Sequence, residues 1–273
     1  MGKWQEFEAR LKGLGRVAVA FSGGVDSALL VRLAADVLGA DNVLALTAVS
    51  QLNPARETTL ARDIAGGCGV RAIHVTIDAL AVPEVAANPP DRCYHCKRAI
   101  FGTLMNVARA EGFPWLLDGS NASDRGDYRP GKRAAVELGA VSPFDECGIT
   151  KAEIRQRSHE LGLPNWDAPS AACLASRIPY GTALTAADLH RVEMAEDVLI
   201  ALGFTGCRVR LHGNIARVET PPDAIFQLAQ EPVRERLLAA LEPLGFDFVT
   251  MDLRGYRMGS LNALVQTEEH GKQ

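Results

Sequence analysis

No stretch of this sequence stays apolar over the roughly 20 residues that a membrane-spanning helix needs. The segment from Met1 to Glu6 lacks the apolar core of a secretory signal peptide. These absences lead us to expect a cytoplasmic protein without a membrane partner. In that reducing compartment, the six cysteines are expected to be reduced, catalytic or metal-bound rather than paired in structural disulfides.

An excess of positive charge is also lacking. The 29 lysines and arginines are outnumbered by 33 aspartates and glutamates, so the formal net charge is -4. This balance argues against nucleic-acid binding by electrostatics alone, and no nucleic-acid partner is expected. With 273 residues and 47% hydrophobic composition, the chain is long enough for one large core or two smaller ones.

Residues 22–27 form a phosphate-binding pattern that is neither the Gly-x-Gly-x-x-Gly of dinucleotide folds nor the Gly-x-x-x-x-Gly-Lys-Ser of Walker ATPases. They read Ser-Gly-Gly-Val-Asp-Ser and lie between apolar runs at 17–21 and 28–31, where a buried strand turns into a helix. Glycines at such a turn let the backbone approach an anion, and the first helical amides point at it. We therefore predict that Ser22, Gly23, Gly24 and Ser27 bind phosphate.

Asp26 is itself anionic, so its role in this loop differs from that of the serines. A carboxylate is a suitable ligand for a magnesium ion that phosphates share. An ordinary glycine-rich turn is the alternative interpretation of any single Gly-Gly pair. The two serines, the aspartate and the position after a strand together favour a nucleotide-phosphate site with Mg2+.

Strands and helices alternate along the first half of the chain, which is typical of a parallel sheet covered by helices. The patterns predict strands at 16–21, 42–49, 70–77 and 115–118, and helices at 4–14, 27–38, 54–65 and from 93 to about 110. We therefore expect an α/β fold with a doubly wound parallel sheet. Ligands of such sheets bind beyond the carboxyl ends of strands, where the loops 22–27 and 119–124 both lie.

Two further features of this half of the chain also indicate a nucleotide-phosphate ligand. The loop from Gly119 to Asp124 has an acidic end, although a surface turn is an equal alternative on sequence alone. Thr150 and Glu153 form a capping box that starts a helix, and Lys151 at that start is placed to meet a phosphate. A solvated lysine is the commoner explanation of any one lysine.

The last third of the chain is predicted to form a smaller α+β unit. A long loop at 163–182 precedes a helix at 185–202, a hairpin of strands 207–211 and 215–219, two helices at 222–230 and 232–244, and a strand at 246–251. We predict a nucleotide domain at 1–167 and a substrate-binding and oligomerisation domain at 168–273.

Three cysteines stand out. Cys93 and Cys96 form a Cys-x-x-Cys pair at a helix start, and Cys173 lies in the long loop. The pair alone fits a redox couple or half a zinc site, but no second pair completes a zinc site. Three thiolates can hold three irons of a [4Fe-4S] cluster and leave the fourth iron open. The remaining cysteines, Cys68, Cys147 and Cys207, are interpreted as packing residues.

Charged residues in the last third of the chain suggest an anionic substrate. Arg177 is near enough in sequence to lower the pKa of the Cys173 thiol. Arg208 and Arg210 alternate onto one face of a predicted strand, where two guanidinium groups can bind a phosphate. Glu196 and Asp223 are candidate ligands of a divalent cation, although solvated carboxylates are the commoner case.

These motifs resemble two related families. Residues 22–27 resemble the PP-loop, Ser-Gly-Gly-x-Asp-Ser, of the ATP pyrophosphatases, and residues 119–124 resemble their second ATP-facing loop. Three further stretches resemble the LarE family of ATP-dependent sulfurtransferases: Ala172–Gly181 (Ala-Cys-Leu-Ala-Ser-Arg-Ile-Pro-Tyr-Gly), Arg208–Arg210 and Ala216–Glu219. With Cys93 and Cys96 present, the chain resembles the three-cysteine branch of that family.

The resemblance implies an adenine nucleotide α hydrolase-like fold and a role in nickel-pincer nucleotide biosynthesis. ATP would adenylate a carboxylate of a pyridinium biscarboxylic acid mononucleotide, and sulfur would displace AMP to give a thiocarboxylate. By the resemblance, Asp26 and Cys173 are catalytic, and ATP, Mg2+ and a [4Fe-4S] cluster on Cys93, Cys96 and Cys173 are the cofactors. Single-cysteine members instead sacrifice the sulfur of the residue that matches Cys173.

The remaining expected roles concern the substrate and the assembly. Ser176 and the three arginines Arg177, Arg208 and Arg210 would bind the substrate phosphate, with Glu196 or Asp223 on a nearby cation. The resemblance implies a homo-oligomer, with a hexamer as the expected form, and leaves the sulfide donor unknown. The alternatives are a PP-loop tRNA thiolase, an amidotransferase or NAD-synthetase-like ligase, and a nucleotide-binding iron-sulfur module without catalysis.

Overall fold

A computed structural model of the chain describes residues 2–125, 130–168 and 173–257. The chain divides into two compact units, Met1–Val85 with Asp91–Ala171 and Ala86–Pro90 with Ala172–Gln273. The short segment Ala86–Pro90 thus groups with the C-terminal part, although it lies far from it in sequence. The domain limits predicted above remain a prediction.

The first unit contains a parallel sheet of four strands with the order β3-β2-β1-β4. These strands are β1 (Val17–Ala20), β2 (Val43–Val49), β3 (Arg71–Thr76) and β4 (Trp115–Leu117). The order reverses between β1 and β4, which makes their carboxyl ends the topological switch point. This confirms the predicted α/β class with a parallel sheet.

Helices occupy both faces of this sheet. They are α1 (Lys3–Leu14), α2 (Val25–Leu38), α3 (Ala55–Gly67), α4 (Pro83–Ala86, which runs into the second unit), α5 (Arg92–Ala110), α6 (Pro130–Glu137), α7 (Pro143–Glu146) and α8 (Lys151–Glu160). Short 3-10 turns lie at Ala40–Asn42, Ala79–Ala81 and Ala122–Asp124. Among the helices of the described residues, none has the length and apolar composition to cross a membrane.

Alternation along the strands builds two cores, one on each face of the sheet. Val17 and Val19 of β1 pack in one core, together with Phe7 of α1. Ala18, between those two valines, packs in the other core with Phe101 of α5. Because successive strand residues face opposite sides, a strand buried on both faces reads as an unbroken apolar run.

The second unit contains a mixed sheet of three strands with the order β5-β6-β7. Strands β5 (Arg208–His212) and β6 (Ile215–Glu219) pair antiparallel, and β7 (Phe248–Met251) pairs parallel to β6. Gly213 in the β5–β6 turn has φ 61°, a left-handed conformation that glycine adopts without steric cost. The helices are α9 (Ala186–Ala201), α10 (Ile225–Ala229) and α11 (Val233–Leu241), with 3-10 turns at Leu174–Arg177, Pro222–Ala224 and Glu242–Leu244.

Candidate functional site

The loop of residues 22–27 is built by glycine conformation and serine hydrogen bonds. Gly23 has φ 77°, and a Cβ at this position would lie 3.0 Å from the Cβ of Ala61. A larger residue would therefore be disfavoured both by its backbone conformation and by a steric clash. The Ser22 and Ser27 hydroxyl oxygens are 3.2 Å apart, and Ser27 Oγ donates to the Gly24 carbonyl at 3.1 Å. Helix α2 begins at Val25 and leaves the backbone N–H groups of its first turn without intrahelical acceptors.

Asp26 is the point at which distant segments of the first unit meet. Lys151 Nζ donates to Asp26 Oδ2, and Asn121 Nδ2 donates to Asp26 Oδ1 at 3.3 Å. Gly119 lies so close that a Cβ there would be 3.0 Å from Asp26 Cβ and from the Ser27 nitrogen. The structure therefore brings together the two predicted loops and the predicted lysine around one carboxylate.

The loop after β4 is held in place by its own polar groups. Asp124 Oδ2 accepts the Asn121 N–H at 3.0 Å, and Ser123 Oγ accepts the Lys151 N–H at 3.0 Å. Thr150 caps the helix that starts at Lys151, as the capping box predicts. Asp124 thus holds the loop's shape in this structure, and its predicted contact with nucleotide remains a prediction.

A cavity of about 160 Å³ lies beside the start of the loop of residues 22–27. It is bordered by Phe21 and Ser22 after β1, by Thr47 of β2 and by Phe101 of α5. Thr47 is 4% exposed, and its hydroxyl has no hydrogen-bond partner among the described residues. Sequence reasoning missed this threonine, although a single hydroxyl in the otherwise apolar run of β2 was a usable signal.

Asp118, at the end of β4, is a second site residue that sequence reasoning missed. It is 3% exposed, and it accepts from Lys97 Nζ at 3.0 Å and from Ser142 Oγ at 2.6 Å. Burial alone would raise the pKa of Asp118, but Lys97 and the hydrogen bonds from Ser142 and Ser120 outweigh it and lower the pKa. Lys97 follows Cys96 directly, so this ion pair ties the cysteine-bearing turn to the edge of the sheet.

Cys93 and Cys96 are the second and fifth residues of α5, with Cys93 exposed and Cys96 half-buried. An Arg92 guanidinium N–H lies 3.9 Å from Cys93 Sγ. Cys173, also half-buried, belongs to the other compact unit. Within the three described ranges of the chain, no three cysteine, histidine or acidic side chains are grouped as ligands of one metal ion.

The cysteines interpreted as packing residues differ in their electrostatics from reactive thiols. Burial raises the pKa of the Cys207 thiol to about 11 and also raises the pKa of Cys68 and Cys147. Thiols with raised pKa values form little thiolate at neutral pH, which is the form that attacks or binds metal. These values favour the packing interpretation.

In the second unit, Arg177 is fully engaged with neighbouring groups. It is 2% exposed, and its Nε and Nη2 donate to the two carboxylate oxygens of Glu196 at 2.8 and 2.9 Å. Its Nη1 donates to the Cys173 carbonyl at 3.1 Å and to Ser176 Oγ at 2.9 Å. This side chain therefore fixes the short turn that carries Cys173 and Ser176.

The two arginines of β5 have different partners. Arg210 donates to Glu219 Oε2 at 3.0 and 2.7 Å and to the Ser176 carbonyl at 2.7 Å. Arg208, 9% exposed, donates to the Cys207 carbonyl and lies 5.1 Å from the centre of the Tyr256 ring. Burial, followed by the charge of Arg177, lowers the pKa of Arg208. Within the described part of the chain no carboxylate forms an ion pair with Arg208, so it can bind an anion without breaking an ion pair.

The two candidate cation ligands are placed differently from each other. Both oxygens of Glu196 accept from Arg177, and Oε1 also accepts the Val209 N–H at 3.1 Å. A cation at Glu196 would therefore have to compete with a guanidinium. Asp223 lies exposed in the 3-10 turn Pro222–Ala224. The assignment of a cation to either residue remains a prediction.

Comparison with known proteins extends these observations. Residues 6–87 match the NAD synthase family. Argininosuccinate synthase of Halobacterium salinarum is 30% identical over 55% of this chain and 40% of its own length. The uncharacterized protein slr1717 of Synechocystis sp. is 44% identical over 92% of this chain and 94% of its own. Pyridinium-3,5-bisthiocarboxylic acid mononucleotide synthase of Lactiplantibacillus plantarum is 41% identical over 93% of this chain and 91% of its own.

The parallel sheet and the loops at its switch point define a PP-loop enzyme. The similarity to the Lactiplantibacillus plantarum synthase extends over nearly the full length of both proteins and identifies one family within this class. The chain belongs to the LarE family, the family of pyridinium-3,5-bisthiocarboxylic acid mononucleotide synthase. The resemblance described from the sequence motifs is thereby confirmed.

Proposed function

We propose that this chain is an ATP-dependent sulfurtransferase that converts a carboxylate of a pyridinium biscarboxylic acid mononucleotide into a thiocarboxylate, in nickel-pincer nucleotide biosynthesis. The name of the Lactiplantibacillus plantarum relative supports the substrate class. The observation that carries the proposal is the meeting of residues 22–27, the loop after Gly119 and Lys151 around Asp26. That arrangement provides an anion site and a carboxylate at one point.

The first step would activate the substrate. A carboxylate oxygen of the substrate attacks the α-phosphorus of ATP, the bond to the β-phosphate oxygen breaks, and pyrophosphate leaves. Ser22, Gly23, Gly24 and Ser27 would bind the departing pyrophosphate, Asp26 would bind Mg2+, and Lys151 would donate to a phosphate oxygen. The cavity beside Thr47 has mostly apolar walls, and the Thr47 hydroxyl has no hydrogen-bond partner among the described residues, which suits a purine base.

The second step would transfer sulfur. A sulfur nucleophile attacks the acyl carbon of the adenylate, AMP leaves, and the thiocarboxylate remains. Adenylation is required because a carboxylate oxygen is a poor leaving group, whereas AMP is a good one. Ser176, Arg177, Arg208 and Arg210 would hold the substrate phosphate, and Arg208 is the arginine best placed to do so because no carboxylate is paired with it among the described residues.

We further propose that Cys93, Cys96 and Cys173 hold a [4Fe-4S] cluster, which would supply the transferred sulfide when bound. Thiolate is the ligand that such clusters prefer, and Cys93 and Cys96 lie three residues apart near the start of α5, a spacing that brings two helical side chains together. The fit is incomplete, since the described residues contain no three-ligand group for a metal ion. A homo-oligomer, expected to be a hexamer, is also proposed.

Pyrophosphate and AMP release tests the activity. Purified protein mixed with ATP, Mg2+ and the pyridinium mononucleotide should release pyrophosphate. Asp26→Asn should reduce that release at least about tenfold, as expected when a carboxylate ligand of the Mg2+ that the phosphates share is lost. Asp41→Asn, an exposed aspartate after α2, is the matched control. Absence of pyrophosphate from the wild type would instead favour a binding module, and release that depends on tRNA would favour a thiolase.

Iron and labile-sulfide analysis tests the cluster. Anaerobically purified wild type should contain both, and Cys93→Ala should lose them while Cys68→Ala retains them. A wild-type sample without iron that loses one sulfur from Cys173 per turnover would contradict the cluster and identify Cys173 as a sacrificial donor.

A further inference from the structure

We propose that Asn165 is a positioning residue that sets the orientation of the Gly23–Gly24 peptide in the loop of residues 22–27. Asn165 is 3% exposed and lies far from this loop in sequence. Its Nδ2 donates to the Gly23 carbonyl at 2.7 Å, which is short for a neutral hydrogen bond. The inference rests on the proposed nucleotide function, because it concerns how this loop presents donors to phosphate.

The turn that carries Asn165 is itself held by α8. Arg155 donates to the carbonyl of Trp166 and to that of Ala168, each at 2.9 Å. Leu163 is 5% exposed, and the Trp166 ring lies 4.5 Å from the His159 ring. A side chain on such an anchored turn can impose its geometry on the more permissive loop that it contacts.

The physical effect follows from the planar peptide. In a trans peptide the C=O and the N–H point in opposite directions. When Asn165 holds the Gly23 carbonyl, the Gly24 N–H is directed to the other side, where it lies 3.4 Å from Ser22 Oγ. On that side, next to the Ser22 hydroxyl, the Gly24 N–H can also donate a hydrogen bond to a bound phosphate.

The hydrogen bond from Asn165 is needed because the peptide that it orients joins two glycines, Gly23 and Gly24. Gly23 has φ 77°, and residues without a Cβ have access to both peptide orientations at little cost. The reversed peptide would direct the Gly23 carbonyl oxygen at the phosphates, and an oxygen lone pair facing an anion is repulsive. The hydrogen bond from Asn165 therefore selects the orientation that binds anions.

The side-chain oxygen of Asn165, Oδ1, argues against the interpretation that this residue serves only to stabilise the fold. Its Oδ1 is buried and has no hydrogen-bond partner among the described residues. A buried unpaired oxygen destabilises a protein, whereas leucine has a similar size and no such oxygen. We infer that the Nδ2 donor contributes to the conformation of the loop more than to the stability of the fold.

Titration calorimetry of Asn165→Leu tests the proposal, with pyrophosphate, ATP and adenosine as separate probes in the presence of Mg2+. We expect the variant to bind pyrophosphate and ATP about tenfold more weakly, and adenosine within about twofold of wild type. Its thermal midpoint should remain close to that of wild type. Asn42→Leu is the matched control, because Asn42 Nδ2 also donates to a carbonyl, that of Leu38, at 2.9 Å.

The possible results separate the inference from the function it rests on. Unchanged pyrophosphate affinity in Asn165→Leu, or an equal loss for adenosine, would overturn the positioning role while the nucleotide function stands. A wild type that binds neither pyrophosphate nor ATP would overturn both. If Asn165→Leu does not fold, Asn165→Asp keeps the shape and replaces the donor by an acceptor, and it should show the same selective loss of pyrophosphate binding.

Discussion

The buried ion pair between Arg177 and Glu196 provides the sharpest test of the second unit. Both side chains are 2% exposed, and two hydrogen bonds of 2.8 and 2.9 Å join them. Glu196→Ala would leave a guanidinium buried without its carboxylate, and would also remove the acceptor of the Val209 N–H. Removing one partner of such a pair costs about 3–5 kcal/mol.

Two further variants refine that magnitude. Glu196→Gln keeps an amide oxygen as an acceptor, so we expect a smaller loss, about 2 kcal/mol. The double variant Arg177→Met with Glu196→Leu should recover part of the stability, because it removes both charges of the pair and leaves neither buried alone. Asp188→Asn on the same helix is the control: its carboxylate is partly exposed and lies 3.4 Å from Arg191, so it should cost less than about 1 kcal/mol.

The assay has to follow the second unit alone. The chain has three tryptophans, Trp4, Trp115 and Trp166, and all lie in the first unit, so tryptophan fluorescence reports on that unit. Hydrogen exchange across α9 in increasing urea reports on the second. A loss below about 1 kcal/mol for Glu196→Ala would refute the buried pair. Stabilisation by Mg2+ that disappears in Glu196→Gln would indicate that Glu196 binds a cation instead.

Two more predictions concern the pH dependence of Asp118 and the reactivity of the cysteines. The folded pKa of Asp118 is lowered, so its contribution to stability is present above the unfolded value near pH 4 and is lost as the pH falls through the folded pKa. Asp118→Asn should therefore lower the free energy of unfolding by about 2 kcal/mol at pH 7, and by less at pH 3, in urea titrations. Cys207, with a pKa of about 11, should react with iodoacetamide at pH 7.5 more slowly than the exposed Cys93. Equal rates, measured by mass spectrometry of the modified peptides, would contradict the burial of the Cys207 thiol.

Local sequence patterns were sufficient to predict most of the helices and strands. The strand at 16–21 and the helix at 4–14 correspond to β1 at Val17–Ala20 and α1 at Lys3–Leu14. Apolar periodicity identifies such elements because burial on one or both faces imposes it. The loop of residues 22–27 was recognisable for a related reason: its glycines and serines act through their own backbone and hydroxyl groups, which neighbouring residues in the chain determine.

Contacts between residues that are distant in sequence could not be predicted from local sequence patterns. Thr47, Asp118 and Asn165 carry no motif, and each becomes part of the site through contacts that only folding creates. Thr47 lines the cavity, Asp118 pairs with Lys97, and Asn165 donates to the Gly23 carbonyl. The arginines of the second unit show the same limit. Their alternation on β5 was evident, but their partners were not, since Glu196 reaches Arg177 from another helix and Glu219 reaches Arg210 from another strand.

The sequence by itself thus determined the class of fold, the family and the loop of residues 22–27, because each depends on short-range periodicity or on contiguous motifs. Only the tertiary structure decided which polar groups meet at Asp26 and which of the three predicted arginines has no ion-pair partner among the described residues. The physical reason is that charge pairing and close packing depend on distances in space. Strand order and helix packing set those distances, and the spacing of residues along the chain does not.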